Sequence, residues 1–257
     1  QFSPSRNLVA KASRRSLEKI GDSCWHCHTG VGAFPLQVAT KFKIPLLIWG
    51  ESISENAGRG TYSCPETKFD RDYFTKVSAK KTPDELVGEN LSAKDMYPFQ
   101  LPSYKEIEDT GVWGLHIGDY IFWDDERQTE FIRDTYGWKE TEMEGTYKGY
   151  KSAECIMSGM HDFTCYLKRG FGRATWQAAI DVRNGLITRK EGFELIKKHD
   201  REKPEALDYF LQITSYTDEE FYTIMNDKKL ESLRDISLQV IEKKKPNLEK
   251  IKPFTEQ

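Results

Sequence analysis

Cys24, His26, Cys27 and His28, in the stretch CWHCHTG (24–30), concentrate metal-binding and redox chemistry in a chain with only five cysteines and five histidines. The C-x2-C spacing lets two thiolates reach one metal ion. Zinc, an iron–sulfur cluster and a thioredoxin-like dithiol all use that spacing. Gly21 and Gly30-Val31-Gly32 flank the motif and would let the backbone turn tightly around an ion. Cys155 lies in AECIMSGMHDF, a polar, glycine-containing stretch that need not be core. Cys24, Cys27 and Cys155 together, with an open or non-protein fourth position, suit [4Fe–4S] or a zinc with an exchangeable ligand, and His26 or His28 could instead close a zinc site. Cys64 and Cys165 have no partner at ligand spacing and read as bystanders.

A second constellation is HDFTCYLKRGFGRATWQAAID (161–181). Lys168, Arg169 and Arg173 bracket Gly170 and Gly172 immediately before a helical pattern. Free backbone N–H groups, a helix start and three cations describe a site for a phosphate or carboxylate. Arg173, Gln177 and Asp181 recur every four residues and share one helix face. A salt-bridged, solvated face is the ordinary explanation of such a stripe; the glycines and cations ahead of it favour substrate binding. His161 and Asp162 are candidates for acid–base or orienting roles. Gly50-Glu51, after the apolar run IPLLIW (44–49), and Asp119 in LHIGDYIFWD are placed to meet ribose or Mg²⁺ at strand ends. Trp49, Trp123 and Trp176 read as core residues.

The elements that must position these groups follow from periodicity. LVAKASRRSLEKI (8–20) is helical with Gly21 as its stop, and VGAFPLQVATKF (31–42) is a further helix. IPLLIW has the character of a buried parallel strand, and VWGLHIGDYIFW (112–123) is a second strand candidate. Residues 54–100 read as a polar insertion with some helix. A helix over 125–135 ends near Gly137. Arg173–Arg183 is a helix closed by Asn184-Gly185, Thr188-x-x-Glu191 and Thr217-x-x-Glu220 are capping boxes, and Pro204 suits a first turn. The expectation is an α/β sheet over 1–150, a helical substrate-binding region over 151–241 and a polar tail over 242–257.

Composition narrows the classes of function. The chain has 257 residues, 12% aromatic and 31% charged, which is globular rather than disordered. With 38 basic and 41 acidic residues, net charge −3, bulk charge gives no reason to expect nucleic acid as a partner. No apolar run has the length of a membrane span. An odd, unevenly spaced set of cysteines argues for a reducing cytoplasm over a disulfide framework.

CWHCHTGVGAFPLQVATKFKIPLLIWGE and HDFTCYLKRGFGRATWQAAIDVRNGLITRKEGFELI together resemble the N-acetyl sugar amidotransferase family. These are lipopolysaccharide and flagellin-glycan biosynthesis proteins of the PP-loop ATP pyrophosphatase superfamily. The resemblance implies a HUP-like (adenine nucleotide alpha hydrolase-like) parallel sheet followed by helices. It implies that ATP, with Mg²⁺, adenylates the oxygen of an acetamido group on a nucleotide-linked sugar, and that ammonia displaces AMP to leave an acetamidino group. The implied ammonia source is a separate glutaminase, with glutaminase and cyclase-like subunits resembling imidazole-glycerol-phosphate synthase. In related tRNA-thiolating enzymes a CxxC before such a strand and a later Cys bind an iron–sulfur cluster, and Cys24, Cys27 and Cys155 hold similar relative places. The SGGxDS loop of the family is absent from the 257 residues. The expectation is therefore a chain that starts within the nucleotide domain, whose ATP chemistry needs the missing element. A PP-loop sulfur transferase with an iron–sulfur cluster, and a non-catalytic metal-stabilised scaffold that docks a glutaminase, are the alternatives.

Overall fold

The computed structural model describes residues 1–50, 71, 75, 79–121, 123–153 and 155–242. Glu51, Cys64, most of the 54–78 part of the expected 54–100 insertion and the tail beyond 242 lie outside the described residues.

Helix α1 (Arg6–Ile20) starts at Ser5, whose hydroxyl accepts from the Leu8 N–H, and stops at Gly21 in the left-handed region at φ 62°. Helix α2 (Trp25–Phe42) begins earlier than the expected Val31, with Cys24 as its N-cap. Gly30 and Gly32 are therefore helix interior, not turn residues. A Cβ at Gly30 would stand 3.4 Å from the Phe99 ring, so this glycine serves close packing.

Strand β1 (Leu46–Trp49) pairs in parallel with β2 (Trp113–His116), Leu46 opposite Trp113 and Trp49 opposite His116. Among the described residues this two-stranded sheet is the whole of the β structure apart from isolated bridges. Parallel pairing matches the expectation; full burial does not. Leu46 is 42% exposed and Ile48 60%, because α2 packs on the sheet from one side and no described element covers the alternate residues. Between the strands lie α3 (Pro83–Leu86), α4 (Ala93–Met96), a 3₁₀ turn (Tyr97–Phe99) and α5 (Tyr104–Thr110). Leu86, Met96 and Phe99 of these elements, with Leu91 from the turn between α3 and α4, close around the buried Trp25. Trp176, expected in the core, is 47% exposed beside Phe171.

Six further helices follow: α6 (Asp125–Tyr136), α7 (Ser158–Arg169), α8 (Arg173–Arg183), α9 (Arg189–His199), α10 (Ala206–Thr214) and α11 (Asp218–Asp227). The stop at Gly137 and both capping boxes take the expected form. Pro204 sits just before the Glu205 N-cap of α10, outside the helix. The larger core joins Met160, Phe163, Leu167, Leu207, Phe210, Phe221 and Met225 with Leu17 of α1. An N-terminal helix thus completes the C-terminal bundle, and the core crosses the expected division at residue 150. At α9, the Thr188 hydroxyl accepts from the Glu191 N–H while the Glu191 carboxylate accepts from the Thr188 N–H at 2.7 Å. Thr188→Ala is expected to lower stability by about 1 kcal/mol in urea unfolding, with an unchanged m-value.

Candidate functional site

The docking of α1 on α7 brings the two chemistry-bearing stretches together. Lys168, in the last turn of α7, donates its Nζ to the carbonyls of Ile20 (2.9 Å) and Gly21 (3.1 Å). It supplies a cation to the end of helix α1, where unsatisfied carbonyls and the dipole favour one. Burial lowers its pKa even though Asp22 is near. A Cβ on Gly21 would meet Lys228 Cβ at 2.9 Å, so glycine is required there for space as well as for its positive φ.

Asp22 follows directly and is 4% exposed. Its carboxylate accepts the Cys24 N–H at 2.8 Å. Burial would raise its pKa, but His161, His28 and this N–H outweigh burial and hold it below the usual range. Cys24 itself is pushed up by burial first, then by Asp22 and by the neighbouring Cys27 and Cys155 thiols. The three cysteines named from the sequence therefore lie close enough to feel one another's charge. Cys27 and Cys155 are exposed and Cys24 is half-buried. Thiolates are the right donors for such a metal, but among the described residues these three sulfurs do not form a group with all donors within 4.8 Å, so the structure brings them into one region and not to bonding distance of one ion.

The two histidines of the motif part company. His26 turns back to α1, its Nδ1 3.3 Å from the Ser13 hydroxyl, and burial drives its pKa down to about 4. His28 faces α7, its ring 4.9 Å from the His161 ring at 88°, and its Nδ1 3.9 Å from an Asp22 carboxylate oxygen. Among the described residues, Asp22, His28 and His161 are the group of potential metal ligands whose donor atoms all lie within 4.8 Å of one another. Asp22 went unnoticed in the sequence; its place between a helix stop and the CxxC was the available signal.

His161 and Asp162 form the centre of a chain of polar contacts. His161 Nδ1 is 3.2 Å from Asp162, and Arg173 grips the same carboxylate with Nε at 2.8 Å and Nη2 at 3.2 Å. Burial opposes the charge on Asp162, yet His161 and Arg173 keep its pKa low. Burial likewise opposes charge on His161, but Asp162, Cys165 and Asp22 raise it well above the ordinary imidazole value. Cys165, read as a bystander, has its Sγ 3.9 Å from His161 Nε2. Burial would raise this thiol, but His161, Arg169 and Lys168 bring it below its ordinary value. The i, i+4 spacing of His161 and Cys165 on one helix was the sequence signal for the pair. Such a charged imidazole beside an acidic thiol can donate or accept a proton at the site's edge.

The expected anion site has an occupant of its own. Gly170 ends α7 at φ 80°, and Gly172 caps α8. The Gly172 N–H donates to Asp200 at 3.0 Å, the Thr175 N–H donates to it at 3.4 Å, and the Thr175 hydroxyl donates to the same carboxylate. The anion at this helix start is the protein's own. Arg173 is engaged by Asp162 and Lys168 by the end of α1, while Arg169 acts on Cys165 through its charge. Gln177 donates to Asp181 at 3.0 Å; Asp181 also accepts from Lys148 at 3.0 Å and Tyr147 at 2.6 Å. The stripe is thus a buried polar network, neither a solvated face nor an open basic pocket. Gly50 is exposed at the end of β1, while Glu51 and the Asp119 side chain lie outside the description.

The three polar clusters around Asp181, Asp162 and Asp200 fall in one continuous stretch of the chain. Residues 144–241 match the C-terminal domain of WbpG-like LPS biosynthesis proteins. That match supports the lipopolysaccharide-biosynthesis family. The WbpG-like region holds α7 to α11 and all of His161, Asp162, Cys165, Arg173, Asp181 and Asp200, whereas Asp22, Cys24, Cys27 and His28 are brought to it from outside. No curated protein matches the chain at a significant level. No described helix is long and apolar enough to cross a membrane.

Proposed function

We propose that this protein acts in lipopolysaccharide biosynthesis as the metal- and substrate-side portion of an ATP-dependent sugar amidotransferase. The observation that carries the reading is the meeting of the CWHCHTG segment with the WbpG-like region, at the His28–His161 ring contact and the Lys168 link to Ile20 and Gly21. The acetamido oxygen of a nucleotide-linked sugar attacks the α-phosphorus of ATP and releases pyrophosphate. Ammonia from a partner glutaminase then adds to the activated carbon, and AMP departs with the original oxygen, leaving an acetamidino group. Cys24, Cys27 and Cys155 would hold zinc or [4Fe–4S], which would organise the region near the activated sugar and offer an open coordination position there. While no ion occupies its Nε2, His161, held by Asp162, would exchange a proton with Cys165, whose sulfur lies 3.9 Å from that nitrogen.

The ATP step requires the phosphate-gripping loop, so the assay must include the polypeptide that carries it together with the glutaminase. With ATP, ammonia and a nucleotide-linked acetamido sugar, heavy oxygen placed in the acetamido group is expected to appear in AMP. Failure to release AMP and pyrophosphate, with the sugar recovered unchanged, rules the reading out. Thiolated product formed with a sulfide donor would replace it by the sulfur-transfer alternative.

A further inference from the structure

We infer that Asp22, His28 and His161 form a second metal site, for a divalent ion of the zinc class, separate from the three cysteines. Two imidazoles and one carboxylate are the ligand set of three-coordinate protein sites that keep an open position. Here the three come from the loop after α1, the first turn of α2 and the first turn of α7, and their donor atoms already lie within 4.8 Å of one another. A tetrahedral ion with bonds of about 2.1 Å sets its ligands roughly 3.4 Å apart. The His28–Asp22 separation of 3.9 Å is therefore within a small side-chain adjustment of the bound geometry.

Each ligand is also oriented by the kind of outer contact that metal sites use. The Asp22 carboxylate is fixed by the Cys24 N–H. His161 has Nδ1 against Asp162, itself held by Arg173, and an ion at Nε2, 3.9 Å from the Cys165 sulfur, would take the place of the proton that the metal-free imidazole carries there. This is a carboxylate–histidine–metal arrangement laid out before any metal binds. Asp22 is buried, so the group is unlike the exposed acidic clusters common on protein surfaces. Of the nearby cations, Lys168 and Arg173 are committed to the α1 carbonyls and to Asp162, while Lys80 acts on Asp22 and His28 through its charge. The open position of the ion would suit water or an oxyanion.

The inference does not depend on the amidotransferase reading, because neither ATP nor sugar enters its test. Protein stripped by a chelator is titrated with Co²⁺ in a variant carrying Cys24→Ser, Cys27→Ser and Cys155→Ser. Binding of a single Co²⁺ is expected, with visible d–d bands. In that background His28→Gln, at a half-exposed position that tolerates polar side chains, and Asp22→Asn should each weaken Co²⁺ binding by about tenfold or more. Asp162→Asn should also weaken it while leaving the ligands in place. The inference is overturned if the triple variant, folded by circular dichroism, binds no Co²⁺, or if His28→Gln and Asp22→Asn bind it as tightly as their parent.

Discussion

Asp162→Ala is expected to destabilise the protein by about 3–5 kcal/mol in urea unfolding, more than a surface substitution could. The side chain is 5% exposed and is shared by His161 and Arg173. Removing it strands a guanidinium and an imidazolium that are each largely withdrawn from water. Breaking a buried pair from one side costs the desolvation of the charge left behind, not merely the lost contact. Asp162→Asn keeps the shape and some hydrogen bonding but loses the charge, so it should fall between the wild type and Asp162→Ala. A loss below about 1 kcal/mol for Asp162→Ala would show that water reaches Arg173 and His161 freely.

Asp181→Ala is the second large effect, about 3 kcal/mol, at the lower end of the range for a broken buried pair. Its carboxylate accepts from Tyr147, Lys148 and Gln177 and is 2% exposed. Lys148 keeps Glu126 at 2.7 Å, which moderates the loss, whereas Tyr147 and Gln177 lose a charged acceptor. Tyr147 has its pKa raised by burial and by Asp181, so the variant should also ease titration of this phenol, readable by ultraviolet absorption as pH rises. Comparing Asp181→Ala with Asp181→Ala/Lys148→Met separates the cost of the stranded ammonium from the cost of the lost hydrogen bonds. Equal stabilities of the two variants would assign the loss to the hydrogen bonds alone.

Much of this arrangement is legible in the chain, for local reasons. Gly21 and Gly137 end helices because a left-handed residue satisfies their last carbonyls, and Thr188 and Thr217 begin helices because threonine and a glutamate three residues on exchange hydrogen bonds. His161, Asp162 and Arg173 are likewise visible as chemistry-bearing side chains at helix-compatible spacing. What periodicity cannot show is which neighbour satisfies each charge. Lys168 and Gly172 read as groups awaiting a phosphate, yet their partners, Ile20 and Asp200, lie 148 and 28 residues away. The same limit separates His26 from His28: two positions apart on a helix, they point to different neighbours, and only the docking of α1 and α7 decides which one reaches His161. IPLLIW illustrates another limit, since an apolar run specifies a strand but not what covers its faces.

The link from Lys168 to the end of α1 has a consequence for the order of events during synthesis. Cys24, Cys27 and His28 leave the ribosome well before Cys155, His161 and Lys168, which close over them. At ordinary elongation rates the interval is on the order of ten seconds. Within that interval only the smaller core around Trp25 acquires all its members, because Leu17 belongs to a core whose other members have yet to be made. The nascent chain therefore passes through a window in which the Cys24 and Cys27 thiols are present without the region that carries Cys155 and His161. Arrival of the WbpG-like region ends that window by bringing His161 to His28 and Lys168 to the end of α1 in the same step.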